Sequence, residues 1–317
     1  MGRKGWAWTI IGSMFVLLIL VLAVKGQGLS ASGSPHKWEE NLVEGSGRNK
    51  IVQLTVDGVI AQNAGFTSDF NSVDFISQLD QAMKDENVKA VVIRVNSPGG
   101  EVVASDEIHN KIMEMKKRGN PVIVSMGAVA ASGGYYISAP ADRIFANPAT
   151  LTGSLGVIFS IPNYQKTADW LGYKENVIKS GQYKDIGNPL REMTEGERAV
   201  FQKLVDESYQ QFVNIISNGR QIPKEQVLKI ADGRVYSGQQ AKELNLIDEF
   251  GSLEDATRYA IKKAGLEKAK VVKYEPKFSF GSILSGKQEA ESLLTKLLQG
   301  AAPRISQEPR LLYLFQP

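Results

Sequence analysis

Ser132 stands in GAVAASGGYYISAP (127–140), a run of small residues closed by a proline. Small neighbours let two backbones approach closely, so this serine is either packing filler or a nucleophile with room beside it for a peptide. What decides is whether the chain supplies a base. There are only two histidines, His36 and His109, and both precede the serine. An α/β-hydrolase triad needs its histidine downstream, and Ala130 stands where G-x-S-x-G requires its first glycine. His109 lies on an amphipathic helical pattern and reads as a surface histidine. The chain has no cysteine, which excludes thiol nucleophiles, disulfides and cysteine metal sites. Lysine is the remaining base, as in the Ser-Lys variants of triad chemistry. The S-x-x-K spacing occurs as Ser34–Lys37, in a polar stretch that positions nothing. Lys179 and Lys184 fall in VIKSGQYKDIGNPL (177–190), a strand end running into a Gly/Pro loop, where function concentrates. Spacing does not choose between them.

A lysine acts as a base only when neutral, which requires burial to penalise its ammonium form. Asp185 beside Lys184 opposes this, unless an extended backbone points the two side chains to opposite faces. A tetrahedral intermediate also needs backbone N–H donors, each worth roughly 3 kcal/mol. Gly133 and Gly134 open a helical turn, so their amides are unpaired. Gly99 and Gly100 of SPGG follow a strand and permit close backbone approach.

The surrounding elements are those of a layered α/β domain. IVQLTV (51–56), KAVVIRV (89–95), PVIVSM, RIFA and LGVIFS read as strands. Between them, SVDFISQLDQAMKD and EVVASDEIHNKIMEMKKRG (101–119) carry apolar residues at helical spacing, the second ending basic at a glycine. A long helix from Thr194 to Gly219 opens with the capping box Thr194–Glu197 and buries Phe201, Leu204, Val205, Phe212, Val213 and Ile216 on one face. In ADGRVYSGQQAKELNLID a helix starts near Ser237, and Arg234 and Tyr236 read as packing or oligomer contacts. No internal repeat is visible.

The 317 residues are 43% hydrophobic with net charge +3 and interspersed charges, enough for a large core and without the basic stripe of a nucleic-acid binder. Gly5 to Val24 is an uncharged apolar stretch of membrane-spanning length, preceded by Arg3 and Lys4, which predicts a retained anchor with a cytosolic N-terminus and an exported body. The organisation read from this is anchor 1–25, flexible Gly/Ser-rich linker 26–48, layered α/β domain 49–275 and looser tail 276–317, with a helical piece at 288–298. The tail ends in Leu311, Leu312, Tyr313, Leu314 and Phe315, an apolar string that either packs on a protein surface or visits the groove as a substrate-like segment, with self-trimming near Gly300–Ala302 as a corollary.

VNSPGGEVVASDEI, AASGGYYIS, LTGSLGVI, SGQYKDIGNP and ADGRVYSGQQAKELNLIDEFGSLEDA occur in the order and spacing of the signal peptide peptidase A family, which this chain resembles over about residues 50–265. The resemblance implies a membrane-anchored Ser-Lys protease with the Clp protease/crotonase fold of repeated ββα units. It implies Ser132 as nucleophile, Lys184 as general base and Ser154 as the serine that hydrogen-bonds the lysine amine. Gly99, Gly100 and Gly133 match the oxyanion-hole positions. It further implies a homo-oligomer, signal-peptide remnants and unstructured polypeptides as substrates, and neither cofactor nor metal. The rival readings are a crotonase-type acyl-CoA hydratase or hydrolase, with Glu101 and Asp106 as its carboxylates, and a non-catalytic membrane scaffold. The Ala/Gly surroundings of Ser132 predict a shallow pocket for small side chains.

Overall fold

Twelve strands and eight helices follow one another along the residues that the computed structural model describes, 38–62, 70–276 and 311–315. In chain order they are β1 (Trp38–Gly45), β2 (Lys50–Asp57), α1 (Ser72–Lys84), β3 (Val88–Ser97), β4 (Gly99–Glu101), α2 (Val102–Lys117), β5 (Val122–Ala131) and α3 (Gly133–Ser138). There follow β6 (Arg143–Ala146), β7 (Leu151–Gly153), β8 (Ile158–Phe159), α4 (Gln165–Trp170), α5 (Glu195–Arg220), α6 (Lys224–Ile230), β9 (Val235–Ser237) and α7 (Gly238–Glu243). The last are β10 (Glu249–Phe250), α8 (Leu253–Lys263), β11 (Lys270–Pro276) and β12 (Leu311–Leu314).

The main sheet runs β1-β11-β2-β3-β5-β6-β10, parallel from β11 to β10 with β1 antiparallel at one edge. Its central strands contain unbroken apolar runs, Ile51–Val52, Ala90–Ile93 and Val122–Val124, as expected of strands covered on both faces, and β2 and β3 alternate with Thr55, Asp57, Arg94 and Asn96 further on. Val52, Leu54, Val56, Val91, Ile93, Val95 and Val124 point to one side and pack under Leu79 of α1, Ile108 and Ile112 of α2 and Phe212 of α5. Ile51, Ala90, Val92, Ile123 and Val271 point to the other side and meet Ala256 and Ala260 of α8. The architecture is mixed α/β. β3–β4–α2 forms one ββα unit, but β5 leads only into the short α3, so the unit is not strictly repeated.

β5 outruns its PVIVSM signal by five residues and reaches Ala131. Its far end pairs with β7 (Ala131 opposite Gly153), and β7 pairs in turn with β9. The capping box of Thr194 and Glu197 is present, and α5 closes at Gln221 in the left-handed region. Only the second half of its apolar face is buried, because Leu204 and Val200 stand exposed. No strand forms at 177–180, and of LGVIFS only Ile158 and Phe159 are strand. Residues 38–45, expected to belong to the tether, form β1 instead. Trp38 is buried, its amide donates to Gln81 Oε1 and its indole Nε1 to Ser77 Oγ.

The tail contributes β12, which inserts between β4 and β8, antiparallel to both. The predicted anchor at 5–24, His36, the Ser34–Lys37 pair, the helical piece at 288–298 and Gly300–Ala302 lie outside the described residues. Among the described residues no helix is long and apolar enough to cross a membrane.

Candidate active site

Ser132 occupies the corner between β5 and α3. Its backbone is held at φ 50°, ψ −114°, a conformation that residues with a Cβ rarely adopt and that costs on the order of 1–3 kcal/mol. Two backbone bonds enforce it: Ser132 N–H donates to the Gly153 carbonyl and Tyr136 N–H to the Ser132 carbonyl, each at 2.8 Å. The serine is 1% exposed. Ser154, the residue after Gly153, is also at φ 50°, and its N–H is fixed on the Arg234 carbonyl at 2.8 Å. The β5–β7 ladder therefore brings Ser132 and Ser154 side by side, one residue beyond the Ala131–Gly153 pair.

The glycines converge on the same corner. Gly99 has φ +103°, and a Cβ there would overlap the Tyr313 carbonyl oxygen and lie 2.6 Å from Gly133 N. Gly100 is packed on the Ile60 backbone, with no room for a side chain. Gly133 approaches Gly100 N and the Gly99 Cα, each 3.1 Å from the position of its absent Cβ. Their tasks differ, however. Gly99 N–H donates to Ser97 Oγ at 3.1 Å, so Gly99 supplies space and no free donor. Phe315 N–H donates to the Pro98 carbonyl at 2.8 Å, and the alternation of an antiparallel ladder makes Gly100–Tyr313 the next hydrogen-bonded pair. The Tyr313 carbonyl thus sits against Gly100 N–H and beside Gly133 N–H, the first amide of α3. A peptide carbonyl in that place is what an oxyanion hole receives.

Lys184 lies in a turn over 181–187, its amide donating to the Gly181 carbonyl at 3.1 Å. Its side chain is exposed, and no hydrogen bond joins it to Ser132 or Ser154 among the described residues. Lys179 is committed elsewhere: its ammonium is 2.5 Å from Asp185 Oδ1 and 3.1 Å from the Gln182 carbonyl. Asp185 accepts a second charge from Arg191 Nε at 3.0 Å, and Arg191 also clasps Glu197, buried at the start of α5. Arg191 first, then Lys179, holds the Asp185 carboxyl far below the usual carboxylate range, and Arg191 holds Glu197 down to about 2. Asp185 is thereby kept off Lys184 by its own partners. The extended backbone that the sequence suggested for this separation is absent.

The other candidates are accounted for. His109 packs edge-on against the Tyr136 ring, with centroids 5.6 Å apart, and burial pushes its pKa below the ordinary value. Asp106 accepts Tyr136 Oη at 2.7 Å, Gln211 Nε2 at 2.6 Å and Asn110 Nδ2 at 2.9 Å, so it is no free catalytic carboxylate. Glu101 stands at the N-cap position of α2 without a side-chain capping bond, and its carboxylate accepts Gln62 N–H at 3.2 Å. Tyr236 is a packing residue with its hydroxyl on the Ile230 carbonyl, and Arg234 pairs with Asp232. The sequence reading missed Tyr136 and Phe212 as pocket walls and Arg191 as the clasp of the Lys184 turn. The double tyrosine three and four residues after the serine was the one visible signal.

A strand seated edge to edge beside a serine corner is how a peptidase holds its substrate, and the relatives of this chain agree. Residues 114–267 match peptidase family S49, and residues 49–151 match Clp protease. The chain is 41% identical over 247 residues to an Enterococcus faecium protein named after signal peptide peptidase SppA, covering 77% of this chain and 72% of that one. It is 36% identical to Protease 4 of Haemophilus influenzae, over 67% of this chain and 34% of that one. The chloroplastic serine protease SPPA of Arabidopsis thaliana is 33% identical, over 79% of this chain and 38% of its own length. A solved point mutant of ClpP1 from Listeria monocytogenes superposes with a TM-score of 0.43 at 22% identity, over 64% of this chain and 93% of that one. The chain belongs to peptidase family S49 and is a serine peptidase.

Proposed function

We propose that this protein is a membrane-anchored endopeptidase that hydrolyses signal-peptide remnants and other unstructured polypeptides with Ser132 and Lys184. The observation that carries the reading is β12, a peptide strand held between β4 and β8 with its Tyr313 carbonyl at the Gly100 and Gly133 amides. A substrate takes the same place. Ser132 Oγ attacks the carbonyl carbon as its proton passes to Lys184 Nζ, and the oxyanion is stabilised by the two amides. The lysine then returns the proton to the leaving amine. Water, activated by the same lysine, releases the acyl group. Ser154, beside Ser132, orients the lysine amine.

Lys184 must be covered to act as a base, and within one chain it is exposed. The same excursion between β8 and α5 exposes Trp170, Leu171, Tyr173 and Ile178, the last fully. A second copy laid on this apolar surface would bury it and the Lys184 turn together, which supports a homo-oligomer. The uncharged apolar run at 5–24, preceded by Arg3 and Lys4, supports a membrane location for this assembly with the catalytic domain outside the cytosol. The tail competes with substrate for the groove. A fluorophosphonate probe tests the central claim. Wild type is labelled and digests an unfolded protein, whereas labelling of Ser132→Ala equal to wild type refutes the nucleophile.

A further inference from the structure

A cluster of cations lies at the other end of the strands from Ser132. Arg143 opens β6 opposite Ile123, near the start of β5, whereas Ser132 follows the last residue of β5. An extended run from Ile123 to Ser132 spans roughly 25–30 Å. At this end β6, the turn from α5 into α6, and the segment from α7 to β10 enclose a cavity of about 420 Å³. Arg143, Arg220 and Lys242 all line it. Two of them have an ordinary reason to be there. Arg220 and Lys242 stand in the last turns of α5 and α7, where a positive charge meets the negative end of the helix dipole. Arg143 stands on a strand and caps no helix.

The carboxylates nearby do not use up these donors. Arg220 Nη2 donates to Asp248 Oδ1 at 2.8 Å and its Nε to the Asn245 carbonyl at 3.2 Å. Asp248 Oδ2 is taken by Ile144 N–H at 2.8 Å, and Lys242 reaches the Asp248 backbone carbonyl. Arg143 donates to Glu249 through Nε and Nη2. Among the described residues, Nη1 of each guanidinium is left without a protein acceptor. The Arg220 side chain is 7% exposed, so water does little to solvate its charge. Burial opposes that charge, Tyr135 and Asp248 favour it, and Arg143 opposes it as a like charge on the same cavity. Two neighbouring cations, each with a spare donor, are the setting in which an anion is gained rather than tolerated. We propose that this cavity binds the phosphate monoester of a small organic molecule. A carboxylate is satisfied by one guanidinium fork, whereas a tetrahedral phosphate accepts from several directions, and here the donors come from β6, α5 and α7. The cavity is also larger than a phosphate group. Its remaining wall includes Ile222, Pro223 and Ile247, which suit a carbon skeleton. The site is joined to the catalytic corner as well. Tyr135, on the helix that starts at Ser132, donates its hydroxyl to the Leu246 carbonyl at 2.8 Å, next to Ile247 in the cavity wall.

Isothermal titration calorimetry on the full-length protein tests this, with inorganic phosphate, glycerol phosphate and acetate as probes. The titrations are run at about pH 8, where both phosphates are dianions. Inorganic phosphate should bind with a dissociation constant below about 1 mM, and glycerol phosphate at least as tightly. Acetate should bind at least about tenfold more weakly, because it meets fewer of the donors. Arg143→Gln and Lys242→Gln each remove one cation from an accessible position, so circular dichroism should show both variants folded. Each should weaken glycerol phosphate binding by about tenfold or more, the worth of a charge-assisted hydrogen bond. No heat of binding up to about 10 mM phosphate overturns the site. So does binding that both variants leave undiminished. Acetate binding as tight as phosphate binding overturns the ligand class.

Discussion

Ser132 and Ser154 share a positive φ: each is held at φ 50° immediately beyond the paired residues Ala131 and Gly153 that end two neighbouring strands, and Ser132 combines it with ψ −114°. A side chain in that conformation costs on the order of 1–3 kcal/mol, and a glycine there does not bear it. Ser132→Gly should therefore be inactive but more stable, by about 1 kcal/mol once the added freedom of the unfolded glycine is subtracted. The melting temperature should rise about 2–4 °C above that of Ser132→Ala, which keeps the strain. Equal melting temperatures for the two variants would refute the strain argument.

Ser132→Ala and Lys184→Ala should each lower peptidase activity by at least about a thousandfold while far-UV circular dichroism stays unchanged. His109→Ala should retain activity, because the ring packs on Tyr136 and reaches no reacting atom. A dead His109→Ala beside an active Lys184→Ala would identify the wrong base.

The Arg191 clasp makes a pH prediction. Asp185 and Glu197 both have folded values depressed below the unfolded range of about 4. Their contribution is thus complete above about pH 4 and is lost as pH falls through the folded value, about 2 for Glu197. Hydrogen exchange of 177–191 should lose protection between about pH 4 and pH 2. In Arg191→Ala the same segment should be poorly protected throughout, with no added loss in that interval. Displacing Lys184 in this way should cost roughly ten- to a hundredfold in rate at neutral pH.

Gly100→Ala forces a Cβ into the Ile60 backbone, which has no flexible end to yield. It should destabilise the protein by roughly 1–3 kcal/mol and abolish hydrolysis. Gly156→Ala meets nothing closer than 3.5 Å and serves as the steric control. A Gly100→Ala protein of wild-type melting temperature would show that β4 can shift away from Ile60.

Tail occupancy predicts that Tyr313→Ala raises the turnover of a dilute peptide several-fold. A tethered segment competes at millimolar effective concentration, and this change removes its anchoring ring. If the rate stays the same, the tail does not compete in solution.

The β-branched runs, the helical spacing of α1 and α2 and the Thr194 capping box made the layered core legible in the sequence, because each is a local pattern. Ser132 was legible through the glycines and alanines that let backbones meet. The choice of Lys184 over Lys179 rested on resemblance alone, since what occupies Lys179 is Asp185, held in a turn that no periodicity announces. The extra length of β5 comes from pairing with β7, a partner that local propensity does not contain. Tyr136 and Phe212 lie in separate helices, and only the tertiary fold faces them onto one ring. Likewise Trp38 belongs to a polar stretch that reads as tether, until α1 supplies Gln81 and Ser77 to receive it.

β4 and β8 are three and two residues long, and β12 is the strand that fills the slot between them. Bare, the slot would present two unsatisfied edges facing each other, open to any extended chain. During synthesis in a crowded compartment, the extended segments of sister molecules are the most abundant candidates. Each chain inserting into the next without closing would propagate a filament. Because β12 belongs to the same chain, the slot is filled from within the molecule and both edges are closed to a neighbour's extended segment.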